Sequence, residues 1–433
     1  MTPSLPQEIH DYIIDFLHDD QETLRACAIV HGLWTPTAHR HLFYDLSISW
    51  MNHRNLSTPA LASKISFFRN SPTHASYVAI LRIHEKDPTN YTDSEEYDPK
   101  DERSLPELEY DERGFLDIYS FIGILSNLNN VMFMSCVKLM STTPPSRFDP
   151  PLVPTVVFDH CTESVVIHAL PFFRCSQELV FYNICPDLKY RQFLVLPWET
   201  MELPPLDHLQ SLTMSNIYYG MKLYRIWTYL QQRLGTTSIT SLNLIEDCDA
   251  ISTSLPSFWE GIGTNLLHLR LSEGIIVSFH ESDSEMEERW RNVLSPLNRL
   301  LTLSIPMIGS WRGEYRPRKD GTNSSPKGLT TALKYASPTL QVVVIEWSHL
   351  CACKLDDPWW WTVPAALARF NNLRCVGLVL EDCNKEVEHR FREILPELSA
   401  ENKLRFIFTP RRQDPIKSVV LRDFGRELLS GDL

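Results

Sequence analysis

No stretch of about 18 consecutive apolar residues occurs anywhere in this sequence, so a membrane-spanning helix is not expected. The N-terminus also lacks a basic stretch followed by an uninterrupted apolar one, the pattern of a secretory signal. Positive charge is the scarcer sign: 41 Lys+Arg stand against 54 Asp+Glu, a formal net charge of −13. Counterion release on nucleic acid requires clustered cations, so general affinity for DNA or RNA is not expected either. There is no P-loop, no H-E-x-x-H and no G-x-S-x-G. Gly261 and Gly263 begin a dinucleotide fingerprint, but Leu266 stands at its third glycine position, and the loop is rejected.

What is present suits a folded chain. Apolar residues make up 43% and aromatics 11% of 433 residues, ample for a core, and the length allows about three ordinary domains. Ten cysteines are scattered rather than paired in a framework. Without a signal segment they are expected to be reduced thiols in the cytoplasm or nucleus, where the sequons at Asn55, Asn90 and Asn323 carry no meaning. The nearest approach to a metal cluster is "HLCACK", with His349, Cys351 and Cys353. It has no second cysteine pair at a plausible distance, so no metal and no cofactor are expected.

The stretch "SLPQEIHDYIIDFLHDD" (4–20) carries apolar residues at Ile9, Ile13, Phe16 and Leu17, one face of a helix. Two starts are open: a capping box from Ser4 to Gln7, or a first turn built on Leu5-Pro6. Asp19-Asp20 offers an N-cap for "QETLRACAIV", whose apolar side is Leu24, Cys27, Ala28 and Val30. Gly32 interrupts, Trp34 anchors, and Thr35-Pro36 restarts a third helix. Three short helices in about 40 residues bury little surface, so they lean on the rest of the chain, on a partner, or on both.

The residues Leu5-Pro6, Glu8-Ile9, Ile13, Phe16-Leu17, Leu24, Cys27-Ala28, Val30, Trp34, Ala38 and His41-Leu42-Phe43 resemble an F-box. The tail "W-x-P-x-A-x-x-H-L-F" is similar to the form common in fungal F-box families, and "FFRNSPTHASYVAILRI" resembles the segment that follows in them. Gly32-Leu33 stand where such families usually place Arg or Lys before the Trp. The resemblance implies docking on the Skp-type adaptor of a cullin–RING ubiquitin ligase. Carried onto this chain, Leu5, Pro6, Ile9 and Ile13 face the adaptor, with Leu17, Val30 and Trp34 as further contacts. The competing reading makes the stripe internal core of a three-helix cap.

Beyond residue 75 a local pattern L-x-x-L-x-L recurs in "VAILRI" (78–83), "LNNVMF" (128–133), "LQSLTM" (209–214), "ITSLNL" (239–244), "LLHLRL" (266–271), "LLTLSI" (300–305), "LQVVVI" (340–345) and "LRCVGL" (373–378), with "QELVFYNIC" (177–185) and "LRFIF" (404–408) as weaker relatives. Such alternation predicts strands with one buried face. Helical stripes are expected at 221–234, 285–300 and 386–399. Cys136, Asn216, Cys248 and Cys383 trail strands where leucine-rich repeats use a polar ladder. The fold class expected is therefore α/β, an N-terminal three-helix F-box (1–48) followed by an irregular leucine-rich-repeat solenoid (49–433) with one strand and one helix per repeat. An ordinary α/β sheet with crossover helices uses the same alternation.

Two charged insertions stand out. Residues 85–114 hold twelve acids and four bases, and residues 310–328 hold five Lys/Arg and two acids. Each is expected to be a solvated loop; the functional alternatives are a charge-selective contact or modification at Ser94, Ser324 or Ser325. "DPWWW" (357–361) is expected either to pack beneath a strand with Leu367 and Phe370 or to form an interface. Thr213, Asn243, Arg270, Ser304 and Val344, between the repeat leucines, are expected on a concave, mostly neutral face. His39 and His41 flank Arg40 at a helix end. The function expected is a non-catalytic substrate receptor of an SCF-type ubiquitin ligase, serving ubiquitin-dependent degradation. Its partners are the adaptor, through it a cullin, and an unidentified protein substrate, with no nucleic acid and no membrane. The alternative is a leucine-rich-repeat scaffold acting outside a ligase.

Overall fold

A computed structural model describes residues 6–49, 59–84, 118–136, 151–170, 173–184, 208–215, 239–245, 259, 262–271, 283–307, 325–347, 358–381 and 385–409. The acidic insertion, the 221–234 stripe, the HLCACK segment and Leu5 lie outside them. The chain divides into two compact units, Met1–Leu206 and Asp207–Leu433. Both are mixed α/β. Among the described residues no helix is long and apolar enough to cross a membrane.

The first unit opens with helices α1 (Gln7–Asp15), α2 (Gln21–Val30) and α3 (Thr35–Tyr44), then runs directly into strand β1 (Asp45–Ser49). Helices α4 (Pro59–Asn70) and α5 (Pro72–Ala75) precede β2 (Ile80–His84), and β3 (Asn130–Met134) and β4 (Leu152–Asp159) follow. Helix α6 (Glu163–Ala169) leads to β5 (Arg174–Tyr182). Each strand pairs in parallel with the next one in the chain, so the spatial order is the sequence order.

The second unit repeats the scheme with β6 (Ser211–Ser215), β7 (Ser241–Ile245), β8 (His268–Arg270), α7 (Asp283–Leu294), β9 (Thr302–Met307), α8 (Ser325–Tyr335), β10 (Val342–Trp347), α9 (Val363–Leu367), β11 (Cys375–Glu381), α10 (Lys385–Ile394), α11 (Pro396–Ala400) and β12 (Leu404–Thr409). All of its strand pairs are parallel and in chain order. Parallel neighbours cannot be joined by a hairpin, which is why the described helices stand in the returns between strands.

The leucine pattern becomes a buried column once strands align. Leu81, Val131, Val156 and Leu179 are in register in the first unit. In the second, Leu212, Leu242, Leu269, Leu303, Val343, Val376 and Leu404 are in register, and all are buried. Beside the first column Phe133, Phe158 and Phe181 stack, with centroids 5.0 and 5.8 Å apart. Three successive strands end alike. Ser135, His160 and Asn183, one residue past β3, β4 and β5, all adopt positive φ (53°, 53° and 51°), a region that Asn and His visit more readily than most side chains. One residue further on, the Cys136 thiol donates to the Ile83 carbonyl and the Cys161 thiol to the Phe133 carbonyl, the same offset on consecutive strands.

Several expectations are amended. β1 and β4 carry no L-x-x-L-x-L signal; β1 is largely polar, and β4 contains Pro154, beside which the register with β5 shifts. The 285–300 stripe is helical only to Leu294 and the 386–399 stripe breaks at Leu395, because Pro296 and Pro396 have no N–H to continue a helix. Helix α8 begins at Ser325, inside the expected basic loop. Pro6 is the N-cap of α1, its carbonyl accepting from the amides of Ile9 (3.1 Å) and His10 (3.4 Å), so proline stands one place before the helix. Gly263 lies where a Cβ would come within 2.8 Å of the Pro296 carbonyl; close backbone approach, not nucleotide binding, calls for glycine there.

Candidate functional site

The most distinctive chemistry lies on the first two helices. On an α-helix, residues three, four and seven apart share a face. In α1 the face turned toward α2 and α3 carries Gln7, His10, Asp11, Ile14 and Asp15. Ile14 alone is a buried hydrophobe; with Leu24, Cys27 and Ala38 it makes a small inner cluster, against which Leu17, Ala28, Trp34 and Leu42 pack.

The rest of that inner face is polar and satisfied. Gln7 Nε2 donates to the Leu33 carbonyl and to Asp11 Oδ1, both at 2.9 Å. Thr37 Oγ1 donates to the same Asp11 oxygen, and this bond, with that from Gln7, holds the Asp11 carboxyl below the usual carboxylate range. Trp34 Nε1 donates to His10 Nδ1 at 2.7 Å. Asp15 takes Arg40 at 3.0 Å and His41 at 2.6 Å. Asp20 caps α2, accepting from the Thr23 amide at 3.0 Å.

The outer face is apolar. Ile9, Tyr12, Ile13 and Phe16 point away from the bundle, Phe16 70% exposed, with the Tyr12 and Phe16 rings edge to face at 4.8 Å. At the end of α2 and just beyond it the pattern continues: Ile29 is 87% and Val30 72% exposed, and Leu33 is also open. Thus α1 turns a hydrogen-bonded polar side, in which only Ile14 is buried, toward α2 and α3 and leaves an apolar side open. Seven of the thirteen exposed large hydrophobics among the described residues fall between positions 9 and 33. Exposed apolar side chains scattered singly are ordinary, but a concentration of this kind is a candidate interaction surface.

The sequence-derived residues divide accordingly. Ile9, Ile13 and Val30 lie on the open surface, and Pro6 is exposed at the helix start. Leu17 and Trp34 belong to the inner cluster, and Leu5 lies outside the described residues. Tyr12, Phe16, Ile29 and Leu33 are exposed as well. Their helical offsets from Ile9 and Val30 could have found them, had it been known which side was inside.

Other candidates resolve differently. The row Thr213, Asn243, Arg270, Ser304 and Val344, expected on a concave face, is in register across β6–β10, and each member is buried, between 2 and 8% exposed. Its polar members bond one another or a neighbouring strand: Asn243 Nδ2 donates to Thr213 Oγ1 at 3.1 Å, and Arg270 grips Glu346 with two bonds of 2.6 Å. In the aromatic cluster Trp360 is buried edge-on to Phe391 at 5.1 Å, whereas Trp359 and Trp361 are exposed, with the Lys327 ammonium 5.2 Å from the Trp359 ring. His39 pairs with His74 and His41 with Asp15, so His39 and His41 do not act as a pair. A groove of about 680 Å³ opens at the N-terminal ends of β1–β4, lined by Arg40, Tyr44, Tyr77, Asn127 and Leu152. Among the described residues no three His, Cys, Asp or Glu side chains converge on a metal position.

Compared with models of protein families and with curated proteins, the chain matches none.

Proposed function

We propose that this chain is a non-catalytic substrate receptor of an SCF-type ubiquitin ligase. In this reading α1–α3 are an F-box, and the outward stripe of Ile9, Tyr12, Ile13 and Phe16, with Ile29, Val30 and Leu33, docks on a Skp-type adaptor. The parallel strands are turns of a leucine-rich-repeat solenoid that holds a protein substrate. Helix α1 carries the proposal: a helix whose polar side is bonded to its own bundle and whose apolar side is open has a partner's surface as its natural complement. Strand order equal to sequence order, the aligned leucine column and the repeated strand-end turns support the solenoid. The buried thiols of Cys136 and Cys161, serving as hydrogen-bond donors, suit a reducing compartment, cytoplasm or nucleus. The chain's contribution is proximity: a tethered substrate meets the charged ubiquitin-conjugating enzyme at raised effective concentration.

Co-expression with a Skp-type adaptor followed by size-exclusion chromatography tests it. A 1:1 complex is expected, lost in an Ile13→Asp, Phe16→Ser variant whose thermal unfolding is unchanged because both side chains are exposed. Undiminished complex formation by that variant removes the stated docking surface. Capture of the adaptor without a cullin favours the scaffold alternative.

A further inference from the structure

Helix α3, continuous with β1, meets helix α5 through two imidazoles. His39 Nδ1 and His74 Nε2, on α3 and α5, lie 3.1 Å apart. Such a contact is a hydrogen bond only if one ring donates and the other accepts through an unprotonated nitrogen. The pair sits in an aromatic enclosure. Phe43 from α3 lies 5.7 Å from the His39 ring and 5.1 Å from the His74 ring, Phe67 from α4 lies 5.4 Å from His74, and Tyr77 lies 6.1 Å from His74. Phe68 closes the far side against Phe43 at 5.8 Å.

The charges around the enclosure are engaged elsewhere. On α3, Arg40 and His41 are held by Asp15. On α4, Lys64 reaches the Ser47 carbonyl and Arg69 the Ser120 hydroxyl. At the start of β1, Asp45 is taken by Arg82 of β2. Among the described residues no carboxylate is bonded to either imidazole, so nothing there shares a second positive charge. Two neutral rings, or one neutral and one charged, keep the bond; two charged rings lose it and repel.

We propose that the His39–His74 contact is a pH-operated latch, fixing α3 to α5 at neutral pH and releasing it in mild acid. Burial first, and then the charge of His74, lower the proton affinity of His39 below the ordinary imidazole value of 6.5. The folded state therefore binds fewer protons than the unfolded one as acid is added. The latch's contribution is complete above about pH 6.5 and is lost as the pH falls through the depressed value. The inference does not depend on what the outer face of α1 binds.

Hydrogen exchange on the full chain, corrected for the intrinsic pH dependence, provides the test. Between pH 7.5 and 5.5 the amides of 35–44 and 72–77 should exchange up to about tenfold faster relative to those of 325–335, the change expected for one linked proton over one pH unit. A His39→Gln variant, whose amide can keep a neutral hydrogen bond, should abolish the response, and His74→Gln serves if the first variant does not fold. His10→Gln should leave it intact, because His10 accepts from Trp34 elsewhere in the bundle. An unchanged or slower wild-type ratio at pH 5.5, or a wild-type response surviving in the His39 variant, overturns the latch.

Discussion

Replacing Glu346 with alanine removes the carboxylate that grips the Arg270 guanidinium across two strand spacings. Arg270 lies on β8 and Glu346 on β10; Nε meets Oε1 and Nη2 meets Oε2, both at 2.6 Å. Ser304 of the intervening β9 donates to Oε1 at 2.5 Å. The two side chains are 6% and 12% exposed, so solvent screens them little. At an effective dielectric of about 20 the Coulomb attraction is about 4 kcal/mol, of the same order as the cost of taking both charges out of water. The intact pair is thus close to neutral for stability, but breaking it strands a buried cation. Glu346→Ala should cost about 3–5 kcal/mol, a large part of a typical domain's stability. The double variant Arg270→Met, Glu346→Leu should cost far less, or stabilise. Urea unfolding followed through the second unit's buried Trp290 and Trp360 reads both. If the single variant costs under about 1 kcal/mol, or if the double variant costs as much as the single, the argument from a buried, desolvated pair is wrong.

Two further outcomes are expected. Leu242→Ala, fully buried in the leucine column, should cost about 2–5 kcal/mol in the same assay, and a loss below about 1 kcal/mol would mean that the column is not close-packed. In an imidazole NMR titration His160 should hold its proton to a higher pH than a free histidine, because it is bonded to Asp159 at 2.8 Å, whereas His39 should lose its proton at a lower pH; stability due to His160 is full below about pH 6.5 and fades as the pH rises through the elevated value, the reverse order of titration being the refuting result.

The strands were legible where a leucine grammar accompanied them. Ten of the twelve described strands carry an alternating apolar pattern in the sequence. β1 and β4 do not, because β1 draws its pairing from β2 with only Leu46 and Ile48 apolar, and β4 runs through Pro154 with a local register shift. Helix starts marked by side-chain chemistry were also readable: Asp20 caps α2, and Thr35-Pro36 opens α3. The strand-end turn was only half readable. Cys136 announced itself as a ladder residue, but Cys161 performs the same bond to the preceding strand without a leucine pattern before it. The burial of the concave row was not legible, for a physical reason. Alternation along a strand says which side a residue takes, not what else occupies that side, and Arg270 finds its partner 76 residues away.

The same limit explains why the stripe on α1 had two readings. A period of 3.6 residues separates two faces but does not say which is inside. Apolar residues normally take the inside, and that habit alone would bury Ile9, Ile13 and Phe16. Here the inside is decided by long-range hydrogen bonds that no local pattern encodes: Gln7 to the Leu33 carbonyl, Thr37 to Asp11, Trp34 to His10, Arg40 and His41 to Asp15. Each ties α1 to a residue at least 24 positions away. Rotating α1 to bury its stripe would sacrifice all of them and leave Asp11 and Asp15 without these partners, so the outward face stays apolar and is hidden only when a second surface is brought to it.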